Sequence, residues 1–174
     1  GIEYEHYMRQ TQVIDFLLGL SVVALGYILH DQIYNIRGNV ISIVVAILVG
    51  SAVGIVSVAL IARWMGAEPA VVASLEPKSV TTAVSANSGG IPALTSVAVI
   101  VVGVFGGIVG PWVLRRVGVE SRIAKGLAMG AAAHALGTAR AMELGAVEGA
   151  ISGLAIGLMG LATAILVPIL GKIL

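Results

Sequence analysis

Cysteine is absent from the 174 residues of this chain. Disulfides, thiolate catalysis and cysteine-bound metal or iron–sulfur centres are therefore excluded. Charge is also scarce, because only 11% of the residues are Asp, Glu, Lys or Arg, whereas a soluble surface carries about 25–35% charged residues. Ten basic residues nearly balance nine acidic ones, so the basic excess that binds nucleic acid is missing as well. These shortages exclude a water-soluble fold and a nucleic-acid partner, and they make the lipid bilayer the expected solvent.

Apolar sequence is abundant, with 58% hydrophobic residues and a mean hydropathy of +1.04. Three stretches of 21 to 23 residues contain no charge: residues 40–62, 94–114 and 149–170. At about 1.5 Å per helical residue, each is long enough to cross a hydrocarbon core of about 30 Å. Residues 13–30 predict a fourth span, although Asp15 lies near one end. We therefore expect an all-α, polytopic membrane helix bundle that forms one transmembrane domain over residues 1–174.

Two further apolar stretches, residues 69–93 and 126–145, contain features that interrupt a plain span. The first has Pro77 and Pro92, a cluster of Ser and Thr and a Gly-Gly pair, which break a continuous helix. The second consists mostly of small side chains around His134. Unwound backbone at membrane depth is tolerated only where protein or a water-filled cavity satisfies its polar groups. We predict two broken or re-entrant segments, 77–93 and 130–145, that meet at mid-membrane, and we hypothesise that an inverted repeat relates them.

Basic residues concentrate in the loop that follows residues 94–114. They are Arg115, Arg116, Arg122 and Lys125. Because Lys and Arg are enriched in cytoplasmic loops, we place this loop in the cytoplasm. Residues 63–93 must then begin and end on the opposite face, which favours a re-entrant hairpin over a complete crossing. Trp64 and Trp112 lie at span ends and are interpreted as interfacial anchors, while Glu148 lies near a predicted helix end and is expected to be solvated.

The first candidate for function is the polar string in the first interrupted segment. It consists of Lys78, Ser79, Thr81, Thr82, Asn87, Gly89 and Gly90. Either of the two threonines can cap a helix that starts at Ala83, and the free N–H groups of a helix start form a site for a small anion such as a carboxylate. The alternative is that the lysine only extends its ammonium group to the membrane surface.

The second candidate surrounds His134. At helical spacing, His134, Gly137 and Thr138 share one face, and Arg140 follows closely. Histidine has an unperturbed pKa close to neutrality, so His134 is our candidate for proton coupling. The alternatives are that His134 is a hydrogen-bonded residue of the bundle and that Arg140 forms a simple i,i+3 ion pair with Glu143.

Magnitudes favour a composite site. One charge at the bilayer centre costs about 2.5–3.5 kcal/mol on insertion scales, whereas one helix N-terminus returns about 0.3–1 kcal/mol and at best about 2 kcal/mol. Two helix starts, the Lys78 ammonium and several hydroxyls are therefore needed together to hold a small carboxylate. Two broken elements that face each other at the midplane are typical of secondary transporters.

Catalysis is not expected, because the chain has no G-x-S-x-G motif and no Asp or Glu close to His134 in sequence. No metal and no cofactor are expected either. A holin-like pore is an alternative, since it needs oligomers with small or polar faces, which ridges of glycines spaced four apart can supply. These glycines are Gly50/Gly54, Gly103/Gly107, Gly126/Gly130 and Gly145/Gly149. We expect a homodimer or a higher homo-oligomer.

Two motif blocks carry a resemblance to a known family. EPKSVTT with SGGIPALTSVAVI, and AHALGTARAMELG further on, are similar to the LrgB/CidB family over nearly all of residues 1–174. The resemblance implies a multi-pass protein of the bacterial inner membrane, in a family described as holin- or antiholin-like modulators of murein hydrolase export and autolysis. It also implies a second small membrane protein of the LrgA/CidA type as a partner. Members usually carry further hydrophobic sequence before this start, so we expect N-terminal sequence to be missing.

The family looks related to the plastid glycolate/glycerate transporter and to bacterial pyruvate uptake systems, which agrees with an anion site. The expected function is therefore secondary transport of small monocarboxylates of the pyruvate, glycolate or glycerate class. The anion would be held by broken-helix termini at mid-membrane, with proton coupling through His134 as a further hypothesis. The alternative is a holin/antiholin-like pore or a modulator of murein hydrolase export and autolysis.

Overall fold

The computed structural model describes residues 33–76 and 89–170, together with eight separate positions nearer the N-terminus. Those positions are Phe16, Leu20, Val23, Ala24, Gly26, Tyr27, His30 and Asp31, all of them helical. The helices are α1 (Ile33–Arg37), α2 (Val40–Trp64), α3 (Pro69–Leu75), α4 (Pro92–Arg116), α5 (Arg122–Leu144) and α6 (Ala146–Leu170). No strand occurs in these parts of the chain, so the predicted all-α fold class is confirmed. Most of the predicted span 13–30 lies outside the described residues.

Within the described parts, α2, α4 and α6 are the helices that are long and apolar enough to cross a membrane. Each has 25 residues, which is about 38 Å of helix, and together they contain the three charge-free stretches. Pro92 lies in the first turn of α4, where its missing N–H is not needed. Arginines lie in the last turns of α2 and α4, where positive charge is favourable. The membrane prediction is therefore confirmed for these three helices.

Glycines bring α5 and α6 into close contact. A Cβ added at Gly126 would lie 2.5 Å from a backbone carbonyl of α6, and one added at Gly149 would lie 2.6 Å from Cγ of Met142. These positions therefore have no room for a larger residue unless the helices move apart. By contrast, a Cβ added at Gly50 or Gly54 would meet no described atom within 4 Å, so this pair does not mediate packing among the described helices.

Helix α5 reverses its direction at His134. The backbone there has φ 47° and ψ −131° inside an otherwise helical stretch. A continuous helix would separate Met129 and Gly137 by about 12 Å, yet a Cβ added at Gly137 would collide with the carbonyl of Met129. Helix α5 therefore consists of a first arm, residues 122–133, and a second arm, residues 135–144.

Contacts with α6 give the direction of each arm. In chain order, the contacts are Gly126 with Glu148, Gly130 with Ser152, Thr138 with Ser152 and Met142 with Gly149. The partners move forward along α6 for the first arm and backward for the second arm. The first arm therefore runs parallel to α6 and the second runs antiparallel, so the two arms form a helical hairpin with His134 at its turn.

Both ends of this α5 hairpin lie at one end of the bundle, which we call the basic end. A single cavity there is lined by Arg115 at the end of α4, Lys125 in the first arm, Leu144 at the end of the second arm and Glu148 at the start of α6. The hairpin thus enters and leaves on the same face. Helix α5 is re-entrant and does not cross the bundle.

The segment between α2 and α4 is anchored at the opposite end of the bundle. Val72 of α3 packs against Ala59 near the end of α2, and the N–H of Ile91 donates a 2.7 Å hydrogen bond to Oγ of Ser74. The chain therefore leaves and returns at the same end, as the sequence predicted. Residues 77–88 lie outside the described part. The flanks of the first interrupted segment and the ends of the α5 hairpin thus lie at opposite ends of the bundle, which is the arrangement that an inverted repeat requires.

Candidate functional site

The turn of the α5 hairpin places His134 in the interior of the bundle. Only 8% of the residue is exposed. Gly130 lies level with Ser152, and His134 is about one helical turn further along the same direction. His134 therefore lies about 15 Å from the start of α6, which is close to the middle of a hydrocarbon core of about 30 Å.

The backbone at His134 is strained. Among the described residues other than glycine, it is the one with a positive φ. A Cβ disfavours this conformation, which costs about 1–3 kcal/mol, whereas glycine adopts positive φ readily. A tight turn alone would favour glycine here, so the imidazole is kept at an energetic cost. His134 is therefore the strongest candidate for a functional side chain in α5.

A buried hydroxyl pair lies beside the turn. Oγ1 of Thr138 and Oγ of Ser152 are 2.7 Å apart, and either hydroxyl can donate the hydrogen bond. Gly130 of the first arm packs on the same serine, because a Cβ added at Gly130 would lie 2.8 Å from its Oγ. Ser152 therefore holds both arms of the hairpin at one point of α6. Sequence reasoning missed Ser152, although a hydroxyl on an otherwise apolar span was a usable signal.

The other two residues predicted in α5 have structural contacts. A Cβ added at Gly137 would lie 2.7 Å from a side chain of the first arm, so the absence of a side chain lets the arms approach. Arg140 lies on the exposed side of α5 and forms an ion pair with Glu143, which is the alternative that the sequence allowed. The structure brings His134 and Thr138 to the buried side of the hairpin and leaves Arg140 on the other side.

The predicted residues of the first interrupted segment are described only in part. Lys78, Ser79, Thr81, Thr82 and Asn87 lie outside the described residues. Gly89 has a φ of 77°, in the left-handed region that favours glycine, and Gly90 follows it just before α4. Gly89 is therefore a turn residue at the return of this segment.

Hydrogen bonds to Ser74 hold the two flanks of that segment together. Oγ of Ser74 accepts from the N–H of Ile91 at 2.7 Å and donates to the carbonyl of Ala70 at 2.6 Å. The carbonyl of Ser74 accepts from Oγ1 of Thr95 at 2.7 Å. Both Ser74 and Thr95 are fully buried. Sequence reasoning missed both residues, although each is a hydroxyl within an apolar helix.

Two carboxylates are buried, one near each end of the bundle. Burial raises the pKa of the Glu76 carboxyl above its usual range, and the positive charge of Arg63 opposes this shift. Glu148 is only 6% exposed, so the expectation that it is solvated is wrong. The reason is the tight junction between α5 and α6, where Gly145 has no side chain and the Glu148 carboxylate lies directly against it.

A cavity of about 780 Å³ lies between α2, α4, the first arm of α5 and α6. The described residues of its lining are apolar, with Ile47, Val101, Phe105 and Met159 among them, so none of these side chains offers a partner for a carboxylate. In the described ranges, no group of three or more His, Cys, Asp or Glu residues could hold a metal ion. Among the described residues in the middle of the bundle, polar groups suited to a small anion lie at the turn of α5.

Three candidate spans and a re-entrant hairpin with a buried polar turn define the class of protein, a helical membrane protein with an interrupted helix in its interior. The LrgB-like family matches residues 1–173, and the chain belongs to this family. The resemblance drawn from the two motif blocks is therefore confirmed.

Relatives match along most of their length. An uncharacterized protein of Haemophilus influenzae is 38% identical over 99% of this chain and 77% of its own length. The uncharacterized protein YwbG of Bacillus subtilis is 34% identical over 98% of this chain and 77% of its own length. The antiholin-like protein LrgB of Bacillus mycoides is 37% identical over 95% of this chain and 74% of its own length. No solved structure matches the chain.

Proposed function

We propose that the protein is a secondary carrier of small monocarboxylates, of the pyruvate, glycolate or glycerate class, in the bacterial inner membrane. The observation that carries the proposal is the reversal of α5 at the buried His134, beside the hydroxyl pair of Thr138 and Ser152. Ionisable and polar groups at membrane depth mark substrate and proton pathways, and interrupted helices supply the backbone dipoles that hold ions there.

The balance of charge supports a proton as the coupled ion. The second arm begins at residue 135, so its N-terminus and the positive end of its dipole lie at the turn. That end returns at best about 2 kcal/mol, against about 2.5–3.5 kcal/mol for one charge at the bilayer centre. A proton on His134 makes up the difference, because carboxylate and imidazolium together carry no net charge.

The first interrupted segment supplies the other half of the proposed site. Lys78, Ser79, Thr81, Thr82 and Asn87 belong to a stretch whose flanks are joined at the end of the bundle opposite the α5 hairpin. Two segments that approach the midplane from opposite faces allow a substrate to be reached from either side in turn. In this proposal the lysine ammonium holds the carboxylate directly and the hydroxyls orient the rest of the substrate.

A holin/antiholin-like role is the second candidate, and the antiholin-like LrgB proteins of Bacillus mycoides and Bacillus cereus favour it. In that case the protein acts as a homo-oligomeric pore or as a modulator of murein hydrolase export and autolysis, together with a small LrgA/CidA-type partner. The glycines at positions 50 and 54 line the large apolar cavity, and no described atom lies within 4 Å of a Cβ added at either, so this ridge has room for a helix of another chain to pack against it.

Flux in proteoliposomes distinguishes the two functions. A carrier gives saturable uptake of labelled pyruvate, glycolate or glycerate, inhibited by the other two acids and stimulated by an inward proton gradient. A pore gives leakage that does not saturate and that includes unrelated solutes of similar size, which would contradict the proposal.

Two variants test the residues of the proposed site. Thr138→Val removes a hydroxyl with little change in volume, and we expect about a tenfold loss of apparent affinity, in line with a lost hydrogen bond to a charged group of about 1.5 kcal/mol. Thr163→Val is the matched control. Thr163 is buried like Thr138, but it lies in α6, eleven residues beyond Ser152 and therefore away from the proposed site. His134→Gln should leave binding in place and flatten the dependence of uptake on external pH. Equal effects of the two threonine variants, or parallel pH curves for wild type and His134→Gln, would contradict this assignment.

A further inference from the structure

The basic end of the bundle carries a second site, separate from the turn of α5. A cavity of about 110 Å³ lies where the end of α4, both ends of the α5 hairpin and the start of α6 meet. Its lining is half charged and half apolar: Arg115, Lys125 and Glu148 face it together with Pro111, Leu114 and Leu144. A mixed lining of this kind suits a ligand that is itself partly charged and partly apolar.

The charges of the described residues that line the cavity do not balance. Arg115 and Lys125 contribute two positive charges, and Glu148 contributes one negative charge. The Glu148 carboxylate lies against Gly145, at the α5–α6 junction. One positive charge is therefore left over, which is the charge that a single phosphodiester group would balance.

The position of the cavity matches the headgroup level of a bilayer. Trp112 is 56% exposed, and the guanidinium of Arg116 lies over its ring, 5.8 Å from the ring centroid. Exposed Trp at the end of an apolar span is typical of the membrane–water interface. The cavity is lined by residues directly beside this pair in α4, so it lies at the same depth.

An apolar groove continues from the cavity towards the middle of the bundle. Leu114 lines both spaces. The groove has a volume of about 270 Å³ between α4 and the first arm of α5. It extends along α4 from Val113 to Phe105, about 12 Å at 1.5 Å per residue. Glycine and alanine make up half of its lining, and α4 and the first arm touch beneath it at Gly106 and Gly110, so an alkyl chain would lie along the outside of this contact.

We propose that the cavity and the groove together bind one anionic phospholipid, with its phosphate between Arg115 and Lys125 and an acyl chain along α4. In a bilayer, the phosphate of a phospholipid lies at the headgroup level, as the cavity does, and its acyl chains lie deeper, as the groove does. Basic pockets between membrane helices commonly bind anionic lipid headgroups. The lipid would join the ends of α4, α5 and α6 and hold the ends of the re-entrant hairpin in place.

Native mass spectrometry of the delipidated full chain in detergent tests the proposal. The probes are dioleoyl-phosphatidylglycerol, dioleoyl-phosphatidylcholine and free glycerol phosphate. We expect one phosphatidylglycerol to bind per chain, phosphatidylcholine to bind at least tenfold more weakly, and glycerol phosphate to compete only at more than a hundredfold higher concentration. Equal binding of the two lipids, or competition by glycerol phosphate at the concentration of the lipid, would overturn the proposal, the latter because it would show a site for free phosphate.

Matched double variants separate the cavity from the general charge of this end. R115A/K125A removes the two cations of the cavity, and we expect phosphatidylglycerol to bind at least about tenfold more weakly. R116A/R122A removes the same charge from two arginines at the same end that do not line the cavity, and we expect a change within about twofold. If R115A/K125A does not fold, K125A against R122A keeps the same comparison, with about a fivefold loss expected for K125A alone. Equal losses in the matched variants would overturn the proposal.

Discussion

The two interrupted segments are held in place by different interactions. At the basic end, the α5 hairpin depends on absent side chains, because Gly126 and Gly130 allow its first arm to touch the backbone of α6. At the opposite end, the flanks of the other segment depend on hydrogen bonds from Ile91 and Thr95 to Ser74. A steric contact between backbones tolerates no added atom, whereas a hydrogen bond contributes about 1 kcal/mol. Substitutions at the two ends should therefore lower the stability of the protein to different extents.

The largest effect is expected at Gly130. Gly130→Ala places a methyl group against the carbonyl of Ser152, and because neither backbone can yield, the cost should reach about 3 kcal/mol. Thermal melting in detergent, followed by size-exclusion chromatography, measures the loss. Gly157→Ala is the control, since nothing lies within 4 Å of an added Cβ there, and it should be neutral or slightly stabilising. Equal melting of the two variants would contradict the close approach of α5 and α6.

A smaller loss is expected at Ser74. Ser74→Ala leaves the N–H of Ile91 without the hydroxyl that accepts its hydrogen bond, which should cost about 1–3 kcal/mol. Ser57→Ala is the matched control, because its hydroxyl donates to Gly54 within the same helix, and it should change stability by less than about 0.5 kcal/mol. If Ser74→Ala and Ser57→Ala have the same melting temperature, the hydrogen bonds at Ser74 do not hold the flanks of this segment together.

At the turn of the hairpin, we expect glycine to be more stabilising than alanine at position 134, which is the reverse of the order in an ordinary helix. His134→Gly and His134→Ala both lose the imidazole, but only alanine keeps a Cβ in the strained conformation. The glycine variant should therefore be more stable by about 1–2 kcal/mol. At Ala133, which is helical, a change to glycine should instead cost about 1 kcal/mol. Greater stability of His134→Ala over His134→Gly would indicate an ordinary helix at this point.

The smallest effect, and one that depends on pH, is expected at Glu76. Because burial raises the pKa of its carboxyl in the folded protein, the folded state favours the protonated form. The stability contributed in this way is complete below the ordinary value of 4.5 and is lost as pH rises through the folded value. Glu76→Gln should therefore melt above wild type at pH 7 and together with it below pH 4.5. Glu68→Gln, at an exposed position, is the control and should have the melting temperature of wild type at every pH. If wild type gains stability relative to Glu76→Gln as the pH rises, the burial of the Glu76 carboxyl is contradicted.

The spans and the place of the interruption were predictable, whereas the reversal was not. A charge-free run of more than twenty residues forms a spanning helix in a bilayer. His134, set among small side chains, indicated where α5 is interrupted. The reversal depends on Gly130 and Gly137 meeting backbone that only the folded chain brings to them. The role of Ser152 was hidden for the same reason, since its partner Thr138 is fourteen residues away.

Polarity at helix ends was the misleading signal. Glu148 lies in the first turn of α6, a position that is usually solvated in an isolated helix. In the folded chain the second arm of α5 returns to the same end and covers it. An ionisable residue at a helix end is therefore predicted as exposed only if no other element ends beside it, and that information is tertiary.

Labelling of single cysteines tests the re-entrant hairpin most directly, and the chain has no cysteine of its own. Glu120→Cys lies before α5, Ala146→Cys lies after it, and Glu68→Cys lies between α2 and α3 at the other end of the bundle. With a membrane-impermeant maleimide in oriented vesicles, the account predicts that positions 120 and 146 react from one side and position 68 from the other. Reaction of position 146 from the side opposite to position 120 would show that α5 crosses the membrane, and it would contradict the hairpin on which the proposed site depends.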